Sequence, residues 1–180
     1  MIDLTVGPTV ASTGPTDDNE VRLRAFYNYC LYLKHNELLH PVRLSISRRL
    51  YNEADRLHIK NEAVLILAKL LLGRTAMKDL TAYRVHFLVF TYEPPCQWYF
   101  LGALEILIQK YTQHLLTKVP SILQKVYLID LVDEEVFLEW ADKESDEFVS
   151  KDMAGRIRKE AEPFLQWLRE AEEDDGTLAQ

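Results

Sequence analysis

The sequence lacks the local motifs of nucleotide-binding and metal-dependent enzymes. Its 6 glycines are scattered over 180 residues and form neither a phosphate-binding loop nor a dinucleotide fingerprint. Its 5 histidines show no HExxH pair and no spacing typical of a zinc site. No serine stands in a nucleophile elbow, and neither cysteine has a local catalytic signature. The sequence therefore predicts no catalytic residue, no metal site and no cofactor, and we expect the protein not to be an enzyme.

Cysteines and long apolar segments are also scarce. Cys30 and Cys96 show no CxxC spacing, so we expect both thiols to be reduced and buried, as in a cytoplasmic protein. The apolar run AVLILAKLLLG at 63–73 is interrupted by Lys69 and is far shorter than the roughly 20 residues that span a bilayer. It predicts a buried helix, and no contact with a membrane is expected.

Apolar residues recur at helical spacing through most of the chain, and no segment shows the alternation of a strand. The segments predicted to be helical are approximately 19–35, 41–57, 61–72, 78–92, 96–117, 120–128, 133–148 and a last helix that Ser150 caps. Pro163 lies inside this last helix, and an interior proline costs about 3 kcal/mol, so a kink or restart is predicted near Glu162. An all-α fold of about eight helices follows. This count is too high for a four-helix bundle and favours stacked antiparallel helix pairs.

The predicted helices form one domain with a short extension at each end. A chain with 48% hydrophobic residues can bury a sizeable core at this length. Residues 1–18 mix Gly, Pro, Thr and Ser without a sustained period, which predicts a flexible linker or arm. Residues 19–175 are predicted to be a single helical domain, and 176–180 a disordered tail.

Negative charge is concentrated in the last third. Residues 130–175 hold 17 carboxylates against 6 Lys and Arg, whereas the whole chain has a net charge of -7. Two segments there set aromatic residues among carboxylates: 133–144, with Phe137 and Trp140, and 162–175, with Phe164 and Trp167. Helical spacing makes each segment amphipathic with an acidic outer side. We expect the rings to pack mainly in the core, with any exposed edges serving as anchors, and the acids to attract a basic partner.

The basic residues of the first 129 positions give a weaker signal. Arg43, Arg48, Arg49 and Arg56 could share one helix, but the excess of positive charge over this part of the chain is small. Ordinary solvated helix faces explain it, and no direct binding of nucleic acid is expected.

The two acidic segments carry a resemblance to a known family. The patterns DLVDEEVFLEWADK and FVSKDMAGRIRKEAEPFLQWLREAEEDD closely resemble the family of C-terminal domains of eukaryotic translation initiation factor 5, which is named for its two tryptophans and has paired aromatic-acidic boxes. Looser similarity extends back to about Arg22 through YRVHFLVF and TKVPSILQKVYLIDL. The family also carries a basic area, of which the segment MKDLTAYRVHFLVF has Arg84 but few other cations.

The resemblance implies a HEAT-like stack of helix pairs and a role in assembling the translation pre-initiation complex. The implied partners are lysine-rich segments of the initiation factor 2 beta subunit, together with initiation factors 3 and 1, and the domain is expected to be a monomer. The residues expected to bind a partner are the carboxylates and rings of the two boxes: Glu134, Glu135, Phe137, Glu139, Trp140, Asp142, Glu144, Phe164, Trp167, Glu170, Glu172, Glu173, Asp174 and Asp175.

Three other functions remain open at this point. The chain could belong to a factor 5 mimic protein that competes for the same partners. It could regulate nucleotide exchange, because the epsilon subunit of initiation factor 2B carries a related domain. It could also be a helical scaffold whose acidic residues are only solvated. Stimulation of GTP hydrolysis is not expected, since the resemblance assigns that activity to a zinc-containing domain for which this sequence has no cysteine cluster.

Overall fold

The computed structural model describes residues 18–36, 38–39, 43–143 and 145–177, with side chains up to residue 171. The predicted arm therefore lies outside the described residues except for Asp18. Over the described ranges the regular structure is entirely helical. The helices are α1 (Asp18–His35), α2 (Leu44–Arg56), α3 (Lys60–Leu71), α4 (Ala76–Thr91), α5 (Pro94–Lys110), the single-turn α6 (Thr112–Leu115), α7 (Val119–Leu128), α8 (Glu134–Asp142) and α9 (Lys151–Thr177). Eight of these helices have nine residues or more, which confirms the predicted all-α fold.

The helices stack in two layers. In one layer α3 packs between α1 and α5, and α5 packs on α8; in the other, α4 packs between α2 and α7, and α7 packs on α9. Short connections carry the chain back and forth between the layers, so consecutive helices form pairs. α3 and α5 lie against each other, and residues from the C-terminal halves of both helices line a shared groove. This arrangement is the predicted HEAT-like stack.

One apolar core runs through the stack. Among its largest fully buried side chains are Phe26, Phe87, Phe90, Phe100 and Phe137, and the rings of Phe87 and Phe100 have centroids 5.0 Å apart. Each such side chain contributes about 1.5–3 kcal/mol on burial. Over the part of the chain that is described, no helix combines the length and apolar character that crossing a membrane requires.

Two predicted helices are shorter than their periodicity indicated. α5 ends at Lys110 because Tyr111 leaves helical geometry (φ −120°, ψ 39°), and α6 with a 3₁₀ turn at Leu116–Lys118 then leads into α7. α8 ends at Asp142 instead of continuing to Phe148. The ring of Phe148 packs against Gly102 and edge-on to Tyr99, with centroids 5.4 Å apart. These contacts with α5 hold residues 145–149 in an irregular segment.

α9 is continuous through Pro163, so the predicted restart near Glu162 is wrong. Ala161, Phe164 and Leu165 around the proline are all buried, and their packing outweighs the cost of about 3 kcal/mol for an interior proline. The start of α9 is as predicted: the Met153 amide donates a hydrogen bond of 3.3 Å to Ser150 Oγ. The helix continues to Thr177, two residues past the predicted domain boundary.

Candidate partner-binding surface

The end of the stack formed by α7, α8 and α9 carries a cluster of four aromatic rings. Phe137 and Phe164 meet edge to face, with centroids 5.0 Å apart. Trp167 lies 5.9 Å from Phe164 and edge-on to Tyr127 at 5.7 Å. Phe137 and Phe164 are buried, but Trp167 is 37% exposed. Part of the Trp167 side chain therefore packs in the aromatic cluster, and the rest is exposed to solvent.

The second tryptophan of the resemblance, Trp140, has a different position. It is 3% exposed, and its Nε1 donates a 2.9 Å hydrogen bond to Glu105 Oε1. The guanidinium of Arg158 donates to the same oxygen at 2.9 Å and also to the Trp140 carbonyl at 3.1 Å. Of the four rings predicted to bind a partner, only Trp167 keeps substantial exposed surface, because Phe137, Trp140 and Phe164 are core residues.

Glu105 is a buried carboxylate at the junction of α5, α8 and α9. Burial raises its pKa, while the charge of Arg158 and the hydrogen bonds from Trp140 and Arg158 act in the opposite direction. Sequence reasoning missed both Glu105 and Arg158. The available signal was a single carboxylate inside the apolar run LGALEILI, but its cation lies 53 residues further along the chain.

Contacts from α5 hold both ends of α8. At the start, Gln97 Nε2 donates to Asp133 Oδ2 at 2.7 Å, and the Asp133 amide donates back to Gln97 Oε1 at 2.8 Å. After the end, Lys143 Nζ lies 4.3 Å from the ring centroid of Trp98. The indole of Trp98 also donates to Glu147 at 3.2 Å. α8 is thereby fixed with its acidic side outward.

The predicted carboxylates that the structure describes lie on this outer side. Glu135, Glu139 and Asp142 of α8 are exposed, Glu134 is half-buried, and Glu170 of α9 is exposed. Among the described side chains, the ion pairs made from α9 are Arg158–Glu105 and Arg169–Glu162. Glu135, Glu139, Asp142 and Glu170 form none within that set, so their charges remain available to a partner.

The other predicted carboxylates are only partly described. Glu144 and the side chains of 172–175 lie outside the described part of the chain. The backbone of 172–175 continues α9 beyond Trp167. Glu170 and Ala171 follow Trp167 by three and four residues, which places them on its face of the helix. We define the acidic surface as Trp167, Glu170 and the exposed carboxylates of α8.

Arg84, which the resemblance assigns to a basic area, makes its contacts within the domain. Its Nε donates to the Ile129 carbonyl at 2.6 Å, and its guanidinium pairs with Asp130 at 3.0 Å. These contacts connect α4 to the two residues that follow α7.

The cysteines and His86 are buried in the core. Both cysteines are buried free thiols, as predicted, and burial raises the pKa of Cys30 to about 12 and of Cys96 to about 11. His86 is buried, with its Nδ1 2.7 Å from Ser47 Oγ. Within the described ranges, no group of three or more His, Cys, Asp or Glu side chains could hold a metal ion.

The fold and this surface define an all-α helical-repeat domain with an acidic, aromatic end. The family described as "W2: eIF4-gamma/eIF5/eIF2-epsilon" matches residues 96–177, from the first turn of α5 to the end of α9. Residues 96–177 therefore form a W2 domain, and the chain is a relative of the C-terminal domain of eukaryotic translation initiation factor 5.

Individual relatives agree with this assignment. Eukaryotic translation initiation factor 5 of Drosophila melanogaster is 35% identical over 97% of this chain, and that of Pongo abelii is 38% identical over 72%. The chain spans 37% and 30% of the lengths of these two relatives. A solved structure titled "The C-terminal Domain of Translation Initiation Factor 5 at low pH" superposes with a TM-score of 0.71, covering 93% of this chain and 100% of that one at 22% identity, which shows the shared fold.

Proposed function

We propose that this chain is a non-enzymatic adaptor domain of translation initiation that works in the cytoplasm as a monomer. Its acidic surface binds lysine-rich segments of the initiation factor 2 beta subunit, and the domain also binds initiation factors 3 and 1. The observation that carries this proposal is the exposed indole of Trp167 on an end of the stack where several carboxylates have no ion-pair partner among the described side chains.

Charge accounts for the encounter with such a partner. The exposed carboxylates of α8 and α9 create a negative field that attracts a lysine-rich chain and accelerates association. Exposed ion pairs contribute only about 0–1 kcal/mol each, whereas a micromolar complex requires about 8 kcal/mol. Since ordering a flexible partner costs further free energy, charge alone is insufficient.

Trp167 supplies the apolar part of the interaction. Its ring is held edge-on by Tyr127 and packed near Phe164, so little side-chain entropy is lost when a partner covers it. An exposed, pre-positioned tryptophan is typical of binding hot spots, which are worth about 2 kcal/mol or more. A lysine-rich segment can lay its aliphatic stems on the indole while its ammonium groups reach the carboxylates.

The test is a titration with a lysine-rich peptide of the factor 2 beta subunit. One variant, E135Q/E139Q/D142N, neutralises three carboxylates on α8, and a second neutralises Glu170, Glu172, Glu173, Asp174 and Asp175 on α9. The control, D18N/E20Q/D55N, makes the same change of charge as the α8 variant on exposed residues of α1 and α2. We expect weaker binding for one or both of the first two variants only. Equal affinities in all the folded variants would contradict the proposal.

A regulator of nucleotide exchange is the second candidate, because the description of the matching family also names eIF2-epsilon. Nucleotide release from initiation factor 2 in the presence of the purified chain separates the two functions. Acceleration by this chain alone would favour the exchange regulator. A factor 5 mimic would bind the same peptide and would compete with factor 5 for it.

A further inference from the structure

An apolar groove lies between the C-terminal halves of α3 and α5, in the layer of the stack that does not contain Arg84. Leu65, Ala68, Leu72 and Ile106 contribute its apolar lining, and Lys69 and Lys110 also line it. Ile106 is 41% exposed although its neighbours Glu105 and Leu107 are buried. An aliphatic side chain is thus presented to solvent on a rigid pair of packed helices.

The two lysines of this α3–α5 groove are exposed and form no ion pair with any described side chain. Each stands in the last turn of its helix, where it also offsets the helix dipole. The dipole of each helix contributes about half a negative charge at its C-terminus. Two ammonium groups beside two such ends leave about one net positive charge next to the apolar lining.

We propose that the α3–α5 groove is a second binding surface, for an amphipathic helix of another protein that carries carboxylates beside an aliphatic stripe. The stripe covers Ile106 and Leu65, and the carboxylates pair with Lys69 and Lys110. Charge complementarity identifies this chemistry, because a basic helix would place its own cations against both lysines. The domain would then hold a basic partner at the acidic surface and an acidic partner at the α3–α5 groove simultaneously.

The probe is a designed acidic peptide of about 14 residues, near the length at which isolated helices become stable, with leucines at helical spacing and glutamates beside them. Titration of the isotope-labelled full chain is followed by NMR chemical-shift changes. We expect shifts concentrated at Leu65, Lys69, Ile106 and Lys110. No shift in this groove up to about 1 mM peptide, a very weak affinity, would overturn the proposal.

Variants test the two kinds of contact separately. K69E/K110E should raise the Kd of the acidic peptide at least tenfold, and Ile106→Ala should raise it about threefold or more. The control K118E/K125E makes the same change of charge around α7 and should leave the Kd within twofold. Unchanged affinity in K69E/K110E, or an equal loss in the control, would overturn the groove as the binding site. If K69E/K110E proves unfolded by circular dichroism, the Ile106→Ala titration decides.

Two further measurements separate the possible occupants. Groove shifts that depend on the concentration of the protein alone would identify a second copy of the chain and overturn the proposal. The α9 variant that neutralises Glu170 and residues 172–175 should still bind the acidic peptide. A failure at the α3–α5 groove is therefore distinguishable from a failure of the lysine-rich partner at the acidic surface.

Discussion

Arg158 lies over the indole of Trp140, with its Cζ 4.5 Å from the ring centroid. Both side chains donate to one oxygen of Glu105, so a single buried carboxylate connects α5, α8 and α9. The arrangement fixes the orientation of the helices that carry the acidic surface.

Removing the cation of this cluster should strongly destabilise the domain. In Arg158→Met the carboxylate of Glu105 loses its charge partner inside the core, and breaking a buried pair in this way costs about 3–5 kcal/mol. Urea unfolding measures the change in the free energy of unfolding. The exposed Arg156 on the same helix provides the control, because Arg156→Met should change stability by only about 0.5 kcal/mol. Similar values for the two variants would show that the cluster contributes little.

The raised pKa of Glu105 predicts the pH dependence of this contribution. In the folded state the carboxyl of Glu105 keeps its proton to a higher pH than in the unfolded state, where its pKa has the usual value of 4.5. Between the unfolded and the folded pKa, the folded state therefore binds more protons. Ionisation of Glu105 therefore costs stability as the pH rises through that interval. The stability of the wild type relative to Glu105→Gln should fall as the pH rises above the usual carboxyl pKa of 4.5. A relative stability that rises over this range would contradict the direction of the pKa shift.

Two glycines in helices should respond in opposite ways to alanine. A Cβ at Gly102 would overlap the ring of Phe148, so Gly102→Ala should displace the segment after α8 and cost about 1–3 kcal/mol. A Cβ at Gly155 meets nothing within 4 Å, so Gly155→Ala should stabilise α9 by about 0.5–1 kcal/mol. Thermal unfolding of both variants checks the signs. Stabilisation by Gly102→Ala would be incompatible with the packing of Phe148.

Substitution of Trp140 should lower the stability of the domain, whereas substitution of Trp167 should weaken its binding to the peptide. Trp140→Phe removes the donor to buried Glu105 and should cost about 1–2 kcal/mol of stability, with the Kd for the lysine-rich peptide within twofold. Trp167→Ala removes an exposed ring and should raise that Kd about tenfold or more in a folded protein. Unfolding and titration are performed on the same samples. A reversed pattern would place the partner contact at α8 rather than at Trp167.

Much of the fold could be predicted from apolar periodicity, because each helix buries one face in a single core. The start of α9 was also predictable, since Ser150 caps it through a contact only three residues away. The end of α5 was not, because Tyr111 leaves helical geometry without a signal in the apolar pattern. The end of α8 was not either, because it depends on the packing of Phe148 against Gly102, which is distant in sequence. The acidic residues were visible as a concentration of charge, whereas the burial of Trp140 depends on Glu105 and Arg158, which periodicity does not connect. Binding of a partner at the acidic surface stays a prediction.

The most direct test of the central claim is the affinity of the wild-type chain for the lysine-rich peptide over a series of salt concentrations. Ion pairs between exposed groups are screened, with a Debye length of about 10 Å at 0.1 M and about 3 Å at 1 M salt. The account predicts a Kd that rises at least tenfold between these concentrations, with weak residual binding from the indole of Trp167. A Kd that does not depend on salt, or no binding at low salt, would contradict recognition of a basic partner by the acidic surface.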